Sequence, residues 1–165
     1  LIVIMNTTYN TFAQSQDNPL SFMLGEYKGT GWFISQEGKK ESNITEKVTC
    51  KQGCSFIVVE GLGTRQDATG KEVISHEAYG IITQDRKTEK WMMQAYRNGE
   101  VVVAEIKLIA DKIIRWELPL PNNAGTVRFT TDFSNPNEWK GIGEYSKDNE
   151  SWSQIMETNL TKIVD

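Results

Sequence analysis

Between residues 26 and 163 the chain alternates short β-rich runs with turn residues ten times over. The runs are Glu26–Ser35, Glu41–Lys51, Cys54–Leu62, Glu72–Thr83, Glu89–Arg97, Glu100–Ile109, Lys112–Leu118, Thr126–Phe133, Glu138–Ser146 and Ser151–Ile163. Breaks such as Gln36-Glu37-Gly38, Gln52-Gly53, Asn98-Gly99 and Asp148-Asn149 separate them. Even spacing, tight turns and no helical crossover predict an all-β fold, a single antiparallel up-and-down β-barrel of about ten strands. A closed barrel of about that strand number can enclose a ligand-sized space.

Asn18-Pro19-Leu20-Ser21-Phe22-Met23-Leu24-Gly25 is the best helical candidate. Asn18 suits the cap, Pro19 the first helical position and Gly25 the stop. The segment predicts a short N-terminal plug helix that seals one barrel end with Phe22 and Met23. Pro119–Gly125 and Gly63–Lys71 read as loops at a rim. Asn98-Gly99 is the strongest local signal, a two-residue type I′ turn. That turn pairs Arg97 with Glu100, Tyr96 with Val101, Gln94 with Val103 and Met92 with Glu105. One face then carries Met92, Gln94, Tyr96, Val101 and Val103, and the other Trp91, Met93, Ala95, Val102 and Ala104. Both faces are substantially apolar, so the pattern does not say which is inward.

At 165 residues the chain holds one domain with a sizeable core. Hydrophobic content of 38% sets it apart from disordered chains. The net charge is −4 and the basic residues are scattered, which argues against a nucleic-acid partner. No apolar run reaches the roughly 18 residues that a spanning helix requires. Residues 1–17 begin with Leu1-Ile2-Val3-Ile4-Met5 and turn polar before Thr11-Phe12-Ala13-Gln14. They read as a signal-peptide remnant or a disordered arm, with an extra strand as the alternative, and residues 18–165 as the barrel domain. The expected location is therefore periplasmic or secreted. Cys50 and Cys54 flank a three-residue hairpin loop, a spacing compatible with a disulfide. Export favours that bond, whereas a cytosolic location would leave two thiols. Two cysteines with no nearby histidine are too few for a metal site, and none is expected.

His76 is the only histidine. Ala78 and Gly80 share its face and leave room for it to hydrogen-bond a ligand or to titrate near neutral pH. The plainer alternative is a ring satisfied by neighbouring strands. Charged residues recur inside the predicted strands, and any that point inward must be paired. An inward Arg128 would receive a ligand carboxylate through a two-point hydrogen bond. Glu157 is either a second cavity group or the structural partner of Arg128. Of the five tryptophans, Trp116 is the candidate for an apolar cavity wall. Gly61-Leu62-Gly63-Thr64 lacks the strand–turn–helix context of a phosphate loop, and no serine elbow or second histidine supplies a triad. No catalytic residue is assigned.

From Leu24 to Ile163 the chain resembles uncharacterised bacterial lipocalin-like, calycin-type domains. The shared features are Leu24-Gly25-Glu26 leading into Gly29-x-Gly31, His76-Glu77-Ala78-x-Gly80, a strand ending Ala95-Tyr96-Arg97, and a closing strand with Met156-Glu157-x-x-Leu160-Thr161. More distantly it is similar to nitrobindin, a ten-stranded haem barrel. The resemblance implies a barrel with an interior site and places His76, Gln94 and Tyr96 near the cavity. It does not carry haem over. Nitrobindin ligates iron through a histidine in its last strand, and here Ile155 falls at that place. No cofactor is therefore expected.

The sequence-based expectation is a barrel that binds a small hydrophobic or amphipathic ligand without catalysis, using His76, Gln94, Tyr96, Trp116, Arg128 and Glu157. The alternatives are a small barrel enzyme of isomerase or hydratase type, with His76 or Glu157 as base, and a barrel that binds or inhibits another protein through its rim loops.

Overall fold

The structure, a computed structural model, describes residues 18–97 and 99–163. The expected signal-peptide remnant at 1–17 and Asn98 of the predicted hairpin turn lie outside the described residues. The strands are β1 Gly25–Ser35, β2 Gly38–Lys51, β3 Phe56–Gln66, β4 Glu72–Gln84, β5 Trp91–Arg97, β6 Glu100–Ala110, β7 Ile113–Pro119, β8 Thr126–Asp132, β9 Glu138–Ser146 and β10 Ser153–Lys162. Each is antiparallel to its sequence neighbours, and β1 pairs with β10, so the up-and-down sheet closes into a barrel. The predicted register across β5 and β6 is present, with Arg97 opposite Glu100 and Gln94 opposite Val103.

One predicted loop, Gly63–Lys71, is shorter than expected. Thr64, Arg65 and Gln66 pair with Ile74, Val73 and Glu72, so β3 continues to Gln66 and only a tight turn remains. Asp67 makes that turn compact by accepting the backbone N–H groups of Thr69 (2.8 Å) and Lys71 (3.1 Å). Pro119–Gly125 does connect β7 to β8 as a loop, with a 3-10 turn at Pro121–Asn123.

Alternation along the strands sorts the side chains. In β2, Ser42, Ile44, Glu46, Val48 and Cys50 face inward, and Asn43, Thr45, Lys47 and Thr49 face outward. The seam between β1 and β10 needs close backbone approach. A Cβ on Gly29 would collide with the Asn159 carbonyl oxygen, and one on Gly31 would meet the Ile44 side chain and the Glu157 carbonyl.

The core fills one end of the barrel, where odd-numbered strands begin and even-numbered strands finish. Tyr27, Val48, Ile57, Ile82, Ile106, Ile114, Phe133, Trp139 and Leu160 are buried together there. Phe133 and Trp139 meet edge to face at 4.9 Å, and Tyr27 and Trp139 at 5.4 Å. Leu20 and Met23, 1% and 2% exposed, plug this end.

The predicted plug helix is only a 3-10 turn at Ser21–Met23. Asn18 explains why. Its Oδ1 accepts the Leu20 N–H (2.9 Å) while its Nδ2 donates to the Cys54 carbonyl (3.0 Å), so the segment is held by a turn rather than a capped helix. Leu24 is already extended, so no second turn forms. Cys50 and Cys54 are joined by a disulfide with their Cα atoms 4.7 Å apart. Lys162 Nζ donates to the Leu24 carbonyl at 2.6 Å. Asn18 and Ile163 therefore both lie at the plugged end, and the opposite end is the mouth.

The plugged end should hold the fold together and the outer face should not. Phe133→Ala is expected to lower the unfolding free energy by about 4 kcal/mol. Tyr96→Ala, on the outer face, should cost under about 1 kcal/mol. Urea denaturation of the two variants checks both; equal losses would contradict the inward–outward assignment.

Candidate functional site

The mouth half of the interior carries the polar groups that the core half lacks. One row of directly paired residues crosses seven strands there: Lys162, Tyr27, Glu46, Gly61, Ala78, Arg97 and Glu100. The adjacent row toward the mouth contains Gly29, Ile44, Gly63 and His76. A β-bulge opposite Gly63 turns Ser75 inward beside His76, and the Ser75 and Ser42 hydroxyls hydrogen-bond at 2.8 Å.

Glu46 is the anomaly in this row. Its carboxylate lies against Gly61, where a Cβ would sit 2.8 Å from both oxygens. Burial pushes its pKa up to about 8, and neither a hydrogen bond nor a nearby charge offsets that. The nearby donors are already engaged. The Tyr27 hydroxyl donates to the Met23 carbonyl (3.1 Å), and the two serines bond each other. Among the described residues no fully buried side-chain polar atom lacks a partner, so the Glu46 oxygens are reached by water.

Burial pushes the His76 pKa down, and the charge of Arg97 adds to the effect, so the ring is neutral at pH 7. Arg97 stands exposed at the mouth, opposite Glu100. Across the barrel Trp116 and Phe129 stack at 5.3 Å and form an apolar wall. Gly143 leaves room for the Phe129 ring, which lies 3.1 Å from where a Cβ would be.

Of the six residues expected to line the cavity, the structure turns His76 and Trp116 inward and the other four outward. Gln94 and Tyr96 share the outer face of β5, because Met93 and Ala95 are opposite the inward Ile82 and Gly80. Gln94 Nε2 donates to Tyr96 Oη at 2.7 Å, and Tyr96 is 41% exposed. Tyr96 lines an open groove of about 740 Å³ with Glu60, Leu62 and Tyr79, and Glu46, Gly61, Ala78 and Arg97 also border it.

Arg128 is outward because Val127, Phe129 and Thr131 take the inward positions of β8. Its guanidinium grips Glu144 at 2.8 and 3.2 Å, lies 3.8 Å from the centre of the Trp152 ring, and holds the Glu144 carboxyl below its usual range. Glu157 is opposite Trp32 on the outer face and accepts from Gln154 (3.2 Å) and Asn159 (2.6 Å), so it does not pair with Arg128. It lines a second groove of about 530 Å³. Ile155 is the extra residue of a bulge in β10 and offers no atom to a metal.

Among the described residues no three His, Cys, Asp or Glu side chains gather as a metal site, and no helix is long and apolar enough to cross a membrane.

Sequence reading missed Glu46 and Arg97. The signal for Glu46 was present in β2. The alternate positions Ile44 and Val48 are apolar, whereas Asn43, Thr45, Lys47 and Thr49 are polar. Glu46 therefore falls on the inward set.

No protein-family model matches the chain, and no curated protein sequence does. Solved structures do resemble it. Rv2717c from M. tuberculosis is 14% identical with a TM-score of 0.59, covering 88% of this chain and 95% of that one. The S-type phycobiliprotein lyase CPES from Guillardia theta is 10% identical with a TM-score of 0.60, covering 88% and 91%. At these identities the likeness is one of fold. The chain has a calycin-type, lipocalin-like β-barrel fold.

Glu46 gives stability a definite pH dependence. It holds its proton up to about pH 8 when folded, against an ordinary value of 4.5. Its contribution is therefore intact below about pH 4.5 and is lost as pH rises through about 8. Glu46→Gln is expected to be more stable than the parent at about pH 9, by on the order of 3 kcal/mol, and nearly equal at about pH 4. Thermal melts of both proteins across that range test this, and parallel curves would place the carboxylate in open solvent.

Proposed function

We propose that the protein binds a small amphipathic molecule in the mouth half of its barrel and performs no chemistry on it. The observation that carries this reading is Glu46, an inward carboxylate that water reaches but to which the protein supplies no hydrogen bond. A polar group so placed among apolar walls is what orients a bound ligand. Trp116 and Phe129 provide the apolar surface, while His76 and the serine pair provide further polar contacts.

Membership of the uncharacterised bacterial lipocalin-like domains belongs to the same proposal, supported by the order of motifs from Leu24 to Thr161. So does an exported location, which the Cys50–Cys54 disulfide supports.

A second reading, an acid–base enzyme of isomerase or hydratase type, is favoured by one fact. At neutral pH the interior holds a protonated carboxyl at Glu46 and an unprotonated His76. His76→Gln would then abolish turnover without weakening binding. Glu157, the other base considered, lies outside the barrel.

The binding reading is tested with the neutral dye Nile red. Micromolar binding is expected, with affinity falling at least about tenfold in Ala95→Trp, which fills the interior, and unchanged in Tyr96→Ala on the outer face. Circular dichroism melts confirm that each variant folds. Equal binding by parent and Ala95→Trp would move the site out of the barrel.

A further inference from the structure

The interior row defines the polar end of the molecule that the barrel would hold. Along that row, Glu46 and Arg97 are separated by Gly61 and Ala78. Strand spacing sets them about 14 Å apart along the sheet. The Glu46 carboxylate lies over Gly61, and Ala78 keeps the next position small. Glu46 is the deeper group, next to Tyr27 and above the sealed core, whereas Arg97 is at the mouth beside Glu100.

The charged and titratable groups facing Glu46 are few. Tyr27, on β1, donates its hydroxyl to Met23. His76, on β4, is one row nearer the mouth and is neutral at pH 7. Arg97, on β5, stands in solvent three strands from Glu46, and its charge adds to the lowering of the His76 pKa. Lys47 and Lys162 are turned to Glu26 and to the Leu24 carbonyl. Among the described residues no cation forms an ion pair with Glu46, although Lys162 stands on the far side of Tyr27, its Nζ 5.6 Å from that ring.

We infer that the molecule bound in the barrel is a small primary amine with an apolar body, its ammonium seated on Glu46 between Tyr27 and Gly61 and its body lying along Trp116 and Phe129. This rests on the interior-binding reading. A neutral alcohol would gain one ordinary hydrogen bond from the protonated acid. An ammonium gains a charge-assisted bond in a poorly solvated place, which is the stronger interaction. A carboxylate ligand would instead have to stay at Arg97, in water, and leave Glu46 unanswered. The exchange balances simply. The amine enters as R–NH₃⁺, Glu46 releases its carboxyl proton to solvent, and the pair forms with close to one proton set free at pH 7.

Three probes of matched length separate the possibilities: octylamine, 1-octanol and octanoate, titrated calorimetrically into the intact protein at pH 7. Octylamine is expected to bind at least about tenfold tighter than 1-octanol and octanoate. Repeating the titration in buffers of different ionisation enthalpy should show the released proton. Glu46→Gln should erase the preference and the proton release, whereas Tyr96→Ala, on the outer face, should change neither. Gly61→Ala, which crowds the carboxylate without removing it, should reduce the preference in part.

The inference is overturned if octanoate or 1-octanol binds as tightly as the amine, or if Glu46→Gln keeps the preference. Binding of all three with no preference would leave the interior site standing and remove only the amine. Binding of none would remove the interior site as well.

Discussion

Pairing of β1 with β10 is the constraint on which everything else rests. Ten strands without that seam would be an open sheet with two unpaired edges and no interior. Seven paired positions from Tyr27–Lys162 to Phe33–Met156 close it, and the approach is tight enough that Gly29 and Gly31 accept no side chain. Closure gives every strand a neighbour on both sides, with β6 and β7 paired only between Lys107–Ala110 and Ile113–Arg115, and creates a surface on which each residue is either inside or outside. The row holding Glu46 and the wall holding Trp116 exist only because the sheet meets itself.

The interior so formed is strongly asymmetric. One end is a dense aromatic and aliphatic cluster around Tyr27, Phe133 and Trp139, capped by Leu20 and Met23. The other end gathers the glycines, the serines, His76 and Glu46. Burying a carboxylate without a partner is costly, and a structure tolerates it only where stability is supplied elsewhere. The plugged end supplies it. Asn18 contributes by joining the plug turn to the disulfide hairpin through the Cys54 carbonyl. The separation of a stabilising end from a polar end is thus a physical consequence of where the large apolar residues fall along each strand.

The strand count, the closed topology and the β5–β6 register were legible in the sequence because turn residues mark them. The inward face was legible only in strands with one clearly apolar side. In β8, Val127 and Phe129 fix Arg128 outside, and in β10, Met156 and Leu160 fix Glu157 outside. In β5 and β6 the cue fails, since Tyr96, Val101 and Val103 are 41%, 54% and 61% exposed while Met93 and Val102 face inward. A shift of one residue there exchanges the whole set of side chains, which is why Gln94 and Tyr96 read as cavity residues. The Ser75 bulge was not legible at all. It depends on β3 and β4 pairing one residue out of step, and no local residue preference announces it.

An even number of strands returns the chain to the rim from which it started. The described polypeptide enters at Asn18 and leaves at Ile163 on the same plugged side, where Lys162 reaches back to Leu24. A tether, a fusion partner or a solid support joined beside either position would therefore attach at the sealed base. The barrel would stand on that attachment like a cup on a table, with the Arg97 rim turned toward whatever approaches from solution.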